Sequence, residues 1–290
     1  MERGAGALIY CNGRLYDGPT VPFDLSDRGL LLGDGLFETM PAFNGVVFRR
    51  GDHLARMIAG AGVLGIPIAQ VRLDEAIDAL LPHAPKPAAT LRLTLTRGSG
   101  PRGLRPPAEP KPSVIATCAP WNAAPVFTPV RLALAGARRN ASSPLSRLKV
   151  LNYLDAVLAV EEAARRGFDD ALFLDTAGRV ACASAANVFM VRGRTILTPP
   201  ADAVLPGVMR GLVLTVAGGL GYEAREAAFG YDEIRTADEL FLSNSVRLVS
   251  AVLALEEAMF KREHPASDAV RAAIAAAIGA ECGYKIGRPD

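Results

Sequence analysis

Residues Thr90 to Thr96 alternate strictly, with Leu91, Leu93 and Leu95 set against Arg92, Thr94 and Thr96. Period-two alternation predicts a half-buried strand. Before it, Leu8 to Leu15 reads as a short hairpin turning at Asn12-Gly13. Val46 to Arg49 predicts a strand. Asp52 stands where it can cap a helix running to about Leu64, which Gly65 and Pro67 end. Leu73 to Leu81 predicts a second amphipathic helix, and Val114 to Cys118 another strand. Further on, Val130 to Leu134 reads as a strand. A helix follows from Asn152 to Arg166, with Asn152 as N-cap, Asp155 in its first turn and Gly167 at its end. Short strands are expected at Ala171 to Asp175, Val180 to Ala183, Asn187 to Val191, Thr195 to Thr198 and Glu239 to Ser243. Helices are expected over Gly207 to Leu220 and Ala266 to Ala280. There is no internal repeat. Helices and strands mix without regular βαβ alternation, which argues for an α+β chain over a doubly wound one.

Pro101 to Pro112 is proline-rich and irregular. Ala119 to Pro129 carries three prolines and is the best linker. The expected division is an N-terminal α/β domain over 1–120, a linker over 121–128 and a larger C-terminal domain over 129–290. A chain of 290 residues, half of them hydrophobic, can build cores of that size. Its net charge of +2 does not point to nucleic acid. No apolar run reaches the roughly 18 residues of a membrane span. Met1 to Gly6 lacks a secretory core, so a cytoplasmic setting is expected. Four scattered cysteines and three distant histidines suggest neither a disulfide framework nor a metal site.

The candidate chemistry starts at Lys149. It is one of five lysines in a Lys+Arg total of 32, and it has apolar neighbours on both sides just before a strong helix signal. Burial disfavours a charged amine, and a neutral amine is a nucleophile that forms Schiff bases. A lysine snorkelling from a strand end is the plainer alternative. Gly98-Ser99-Gly100-Pro101-Arg102-Gly103 matches a dinucleotide pattern. Leu104-Arg105-Pro106-Pro107 cannot open the helix that pattern needs, so a loop offering Arg102 or Arg105 to an anion fits better. Leu205-Pro206-Gly207 leads into a helix whose free N–H groups suit a phosphate. Ser243-Asn244-Ser245 could hold phosphate oxygens, and Arg56 lies on the helix after Asp52. Each of these also has an ordinary reading as a turn or a solvated side chain. Asp27 to Met40 carries three glycines, which suggests unusual backbone or close approach.

Taken together, these stretches resemble the fold-type IV pyridoxal-phosphate enzymes. That family includes branched-chain and D-amino-acid aminotransferases and aminodeoxychorismate lyases. The resemblance runs from about Leu8 to Val252. It is carried by Asp27 to Thr39, Leu148-Lys149 with Asn152-Tyr153-Leu154, Gly178-Arg179-Val180 through Asn187-Val188-Phe189, and Leu205-Pro206-Gly207. It implies a two-domain fold whose larger C-terminal domain is β-barrel-like with helices. It also implies pyridoxal 5′-phosphate as cofactor, a small-molecule amino substrate, and a homodimer with its site at the domain junction.

By the same resemblance, Lys149 holds the cofactor aldehyde as a Schiff base and shuttles the proton. Arg56, in His53-Leu54-Ala55-Arg56, binds the phosphate with the Val208 and Met209 N–H groups and the Ser245 hydroxyl. Tyr153 bonds the phenolic oxygen. Arg102 is the candidate for the substrate carboxylate, with Arg92 its rival, and Thr39 helps to position substrate.

One position departs from the family. Two residues after Val180, where a glutamate usually protonates the pyridine nitrogen, this chain has Cys182. A thiol offers at most a weak hydrogen bond, so the ring is expected to be a weaker electron sink. Gly33 to Thr39, the Gly98 to Gly103 loop and Ser143-Pro144-Leu145-Ser146 look most like the lyases. A lyase would release pyruvate and p-aminobenzoate from 4-amino-4-deoxychorismate. An aminotransferase for D- or branched-chain amino acids is the alternative. A catalytically impaired ligand-binding homologue is the alternative of another class.

Overall fold

The computed structural model describes residues 8–261 and 263–287, so Met1 to Gly6, read above as lacking a secretory core, lies outside them. Among the described residues no helix is long and apolar enough to cross a membrane. The chain divides into two compact units. The first runs up to Trp121 and takes in Leu148–Asn152 and Ala280–Tyr284. The second covers Asn122–Arg147 and Tyr153–Gly279, with the residues after Tyr284. The segment carrying Lys149 therefore groups with the N-terminal unit, although it lies far along the chain.

The first unit contains β1 (Leu8–Cys11), β2 (Arg14–Asp17), α1 (Arg28–Leu32), β3 (Gly35–Phe43), β4 (Val46–Val47), α2 (Arg50–Leu64), α3 (Gln70–Leu80), β5 (Ala88–Thr96) and β6 (Ser113–Pro120). Its six strands form one sheet in the order β2-β1-β6-β5-β3-β4. The hairpin turns at Asn12-Gly13 with positive φ at both residues, as that dipeptide predicts. Leu91, Leu93 and Leu95 are at most 1% exposed and pack with Leu54, Met57, Leu73 and Ile77 of α2 and α3. Burying each such leucine contributes about 1.5–3 kcal/mol.

Two local details differ from the pattern. Helix α2 begins at Arg50 because Arg49 turns the chain in the left-handed region, at φ 56°. Asp52 thus lies inside the first turn and makes no capping bond. The expected strand at Val46 to Arg49 is correspondingly cut to two residues. Of the glycines of Asp27 to Met40, Gly33 answers to a left-handed backbone, at φ 66°, and Gly29 and Gly35 to close approach. A Cβ on Gly35 would lie 2.4 Å from the Leu95 carbonyl oxygen, and one on Gly29 would lie 2.3 Å from Thr96 Cγ2.

The second unit contains β7 (Val130–Arg139), α4 (Leu154–Arg165), β8 (Asp170–Asp175), β9 (Val180–Ala183), β10 (Asn187–Arg192), β11 (Thr195–Thr198), α5 (Val208–Val216), β12 (Glu223–Glu226), α6 (Tyr231–Arg235), β13 (Glu239–Asn244), β14 (Leu248–Leu255), β15 (Ala258–Met259) and most of α7 (Pro265–Cys282). A nine-stranded mixed sheet runs β12-β11-β10-β13-β14-β7-β8-β9, with β15 on β14. Its core joins Leu132, Leu172, Val188, Met190, Leu240 and Val252. Asn152 is not the N-cap of α4; Tyr153 is, and its side chain makes no capping bond. The reason is that Leu148–Asn152 runs extended along β3, through a Leu151 N–H to Gly35 carbonyl bond of 3.1 Å.

Candidate active site

In the first unit, Lys149 sits on a short extended segment added to the edge of β3. The Phe37 N–H donates to the Lys149 carbonyl at 2.9 Å, and Leu36 and Val150 form an antiparallel bridge. Flanking Leu148 and Val150 pack on the core of this unit. The apolar neighbours in the sequence thus anchor the segment. The Lys149 Nζ lies 4.3 Å from the centre of the Phe37 ring, and the Arg92 guanidinium lies 3.9 Å from the same ring. Arg92 pairs across the sheet with Thr39, so Phe37, Thr39 and Arg92 share one face.

The other face of β3 presents Glu38, which is fully buried. Its carboxylate accepts from His53 Nδ1 at 2.7 Å and from Arg56 Nε and Nη2 at 2.8 and 2.6 Å. Burial alone would raise the Glu38 pKa, but the bonds from His53 and Arg56 outweigh it and hold the carboxyl below its ordinary value. Burial pushes His53 down, against Glu38, which raises it. A neutral imidazole next to a carboxylate must carry its proton on Nδ1.

These charges act on Lys149. Burial, then Arg56, lowers its amine from 10.5 to about 8; Glu38 opposes this, and Arg92 adds to it. The depression anticipated from burial therefore has a second cause, two arginines already singled out in the sequence. The pH dependence follows with a definite sign. Capture of an aldehyde by Lys149 should accelerate as pH rises and level off near about 8, where the amine is mostly neutral. An unperturbed lysine would keep accelerating toward about 10.4. Stopped-flow reconstitution with pyridoxal phosphate reads this, and a rate still climbing well above pH 8 contradicts the assignment.

A second network ties two loops of the same unit together. Arg28 is buried and donates to Asp34 at 2.8 Å and to the carbonyls of Gly103 and Leu104, each at 3.0 Å. Arg97 also donates to Asp34, at 2.8 and 3.0 Å, and to the Gly65 and Leu64 carbonyls. Arg102 itself is exposed on the loop so held. Arg56 and Arg92 thus stand in the electrostatic surroundings of Lys149, and Arg102 is placed on a pinned but open loop.

In the second unit, α5 begins at Gly207 with no side-chain cap, so the N–H groups of its first turn are not used up by a capping side chain. Gly207 is required there, since a Cβ would lie 2.0 Å from Asn187 Oδ1. Asn187 fixes the preceding turn by donating to the Leu205 carbonyl at 2.9 Å. Ser245 lies in the turn after β13, where Asn244 Oδ1 accepts from the Val246 and Arg247 N–H groups at 3.0 and 2.7 Å. Cys182 lies on β9 opposite Phe173 of β8.

Pattern reasoning missed Glu38, His53 as its partner, Asp34 with its two arginines, Asn187, and Arg139 beside Cys182. Glu38 left a trace, an acid inside an otherwise apolar strand. His53 and Arg56, three apart on a helix, also had to share a face.

These residues fit pyridoxal phosphate in two respects: a buried amine with a lowered pKa suits its aldehyde, and an uncapped helix N-terminus suits its phosphate. At the ring-nitrogen position the acid is absent. The amino-transferase class IV family profile matches residues 35–255. The 4-amino-4-deoxychorismate lyase from Pseudomonas aeruginosa is 32% identical, with a TM-score of 0.81 covering 90% of this chain and 96% of that one. The branched-chain aminotransferase from Thermoproteus uzoniensis, solved with norvaline, is 26% identical, with a TM-score of 0.87 covering 96% and 97%. The T.th. branched-chain aminotransferase, complexed with N-(5'-phosphopyridoxyl)-L-glutamate, is 28% identical, with a TM-score of 0.86 covering 96% and 95%. These relatives are enzymes, which sides against a binding-only homologue. The chain belongs to amino-transferase class IV and is a pyridoxal 5′-phosphate enzyme of fold type IV.

Proposed function

We propose that the protein is a 4-amino-4-deoxychorismate lyase, releasing pyruvate and p-aminobenzoate. The observation that carries this reading is Asp34. It lies in Gly33 to Thr39 and accepts from Arg28 and Arg97, and Arg28 further donates to the Gly103 and Leu104 carbonyls at the end of the Gly98 to Gly103 loop and in its continuation. Two of the three lyase-like stretches are thereby one structural device.

Bound pyridoxal phosphate supplies an aldehyde for amines and a ring that accepts electron density. The chain's residues do the rest. The Lys149 amine would hold the aldehyde and, once free, would take and return the proton at the substrate carbon. Arg56, the Val208 and Met209 N–H groups and the Ser245 hydroxyl would hold the phosphate, and Tyr153 would bond the phenolic oxygen. The position of Arg92 over Phe37 beside Lys149 supports it as the arginine for the substrate carboxylate, ahead of Arg102, and Thr39 positions substrate next to it. Aromatisation of the product drives the elimination, so a weakened electron sink is tolerated. A homodimer completes the reading, supported by the exposed apolar row Leu154, Val157 and Leu158 on α4.

A second reading, an aminotransferase for branched-chain or D-amino acids, is favoured by one observation. The Thermoproteus uzoniensis aminotransferase superposes over more of the chain than the Pseudomonas aeruginosa lyase does. Incubating loaded protein with 4-amino-4-deoxychorismate and no keto acid separates the two. Stoichiometric pyruvate and p-aminobenzoate are expected. Their absence, with keto acid formed from an amino donor once 2-oxoglutarate is added, would establish the aminotransferase. Light scattering on the same preparation reads the dimer.

A further inference from the structure

Strands β7, β8 and β9 lie side by side, and their register brings Arg139 opposite Asp175 and Cys182 opposite Phe173. The Arg139 guanidinium lies over the Phe173 ring, 4.2 Å from its centre, a cation–π contact on a fully buried aromatic floor. Its charge also bears on the Cys182 thiol across that ring, favouring the ionised form. Of the four residues of β9, Cys182 alone keeps appreciable accessible surface, and Arg139 is also half-buried. The pair thus stands together over Phe173.

We propose that Arg139 and Cys182 together hold the pyridine nitrogen of the cofactor unprotonated, the thiol as its hydrogen-bond donor and the guanidinium as the cation beside it. The proposal rests on the class IV assignment, in which position 182 serves the ring nitrogen. Its physics is local. The charged groups facing the thiol are Arg139 from β7 and Asp170 from β8. Burial, with Asp170, raises the thiol pKa against the opposing pull of Arg139, so Cys182 keeps its proton at neutral pH. Asp170 is occupied by the Ala171 N–H at 2.7 Å. The protonated thiol has an S–H to donate, and only an unprotonated ring nitrogen can accept it. A pyridinium there would instead put a second cation near the guanidinium. The family's acid stabilises a ring proton; this pair repels one.

Nitrogen-15 NMR of protein loaded with ring-labelled pyridoxal phosphate tests this directly. At neutral pH the wild-type resonance should fall in the unprotonated pyridine range. Cys182→Glu should move it to the pyridinium range, and Arg139→Met should move it part of the way. A wild-type pyridinium resonance, with the absorption band of lysine-bound cofactor intact, would falsify the proposal. An unchanged resonance in Arg139→Met would remove Arg139 from it. A wild-type protein without that band, or a band surviving in Lys149→Ala, would overturn the underlying class IV site instead. Iodoacetamide should also alkylate Cys182 more slowly once cofactor is added, and equal rates would contradict the placement of the thiol at the ring.

Discussion

Lys149→Ala should lose the absorption band of lysine-bound cofactor and slow turnover by on the order of 10⁴-fold or more, because one side chain serves as both covalent anchor and proton carrier. The variant should fold. Leu148 and Val150 anchor the segment on the core, and the backbone bonds to Gly35 and Phe37 do not involve the lysine side chain. Its stability should in fact rise at neutral pH. The folded amine titrates at about 8 and the ordinary value is 10.5, so the folded state carries a buried ammonium below about 8. Between those values the unfolded chain binds more protons, and native stability rises with pH across that window. Alanine removes this burden, worth about 3 kcal/mol by the pKa difference. Urea titration and absorbance on one preparation read both effects. A variant that keeps the band, or that turns over substrate at near wild-type rate, would end the assignment of Lys149.

Glu38→Ala should cost about 3–5 kcal/mol of stability, the usual penalty for removing one partner of a buried ion pair. Glu38 is fully buried and accepts hydrogen bonds from both Arg56 and His53. Without it, those donors lose their acceptor inside the unit. Because the folded carboxyl titrates below its ordinary 4.5, its contribution is fully present above that value and fades as pH falls through the lower folded pKa. Cofactor affinity should drop as well, since Arg56 loses the bonds that orient its guanidinium. Glu38→Gln, which can still accept but carries no charge, should fall between alanine and wild type. Denaturant midpoints of the three proteins at neutral pH decide the matter. A loss below about 1 kcal/mol in the alanine variant would show that Arg56 and His53 are held by other groups.

The site was legible in the sequence to an uneven degree. Lys149 could be found because its apolar flanks stand just before a helix signal, and those flanks turn out to be the anchors of its strand. The helix start at Gly207 could be found because its turn chemistry is local. Glu38 is different. It is an acid inside an apolar strand, and its meaning depends on α2 bringing His53 and Arg56 to that face of β3. The Asn152 cap failed for a similar reason: pairing along β3 kept the preceding segment extended, and no local preference reports that.

What the sequence determined alone was the set of elements written in short-range chemistry. Alternation set β5, Asn12-Gly13 set the hairpin turn, and glycines marked where backbones approach. The cofactor class followed from an ordered series of motifs, and the missing acid at Cys182 was visible by position. Only the tertiary structure decided which charges surround each functional group. Arg56 and Arg92 depress Lys149, Asp34 joins two distant loops, and Arg139 reaches the thiol across Phe173. Each of these depends on strand register or helix docking between segments far apart in the chain. Electrostatic interaction depends on distance and burial in space, which local pattern does not encode.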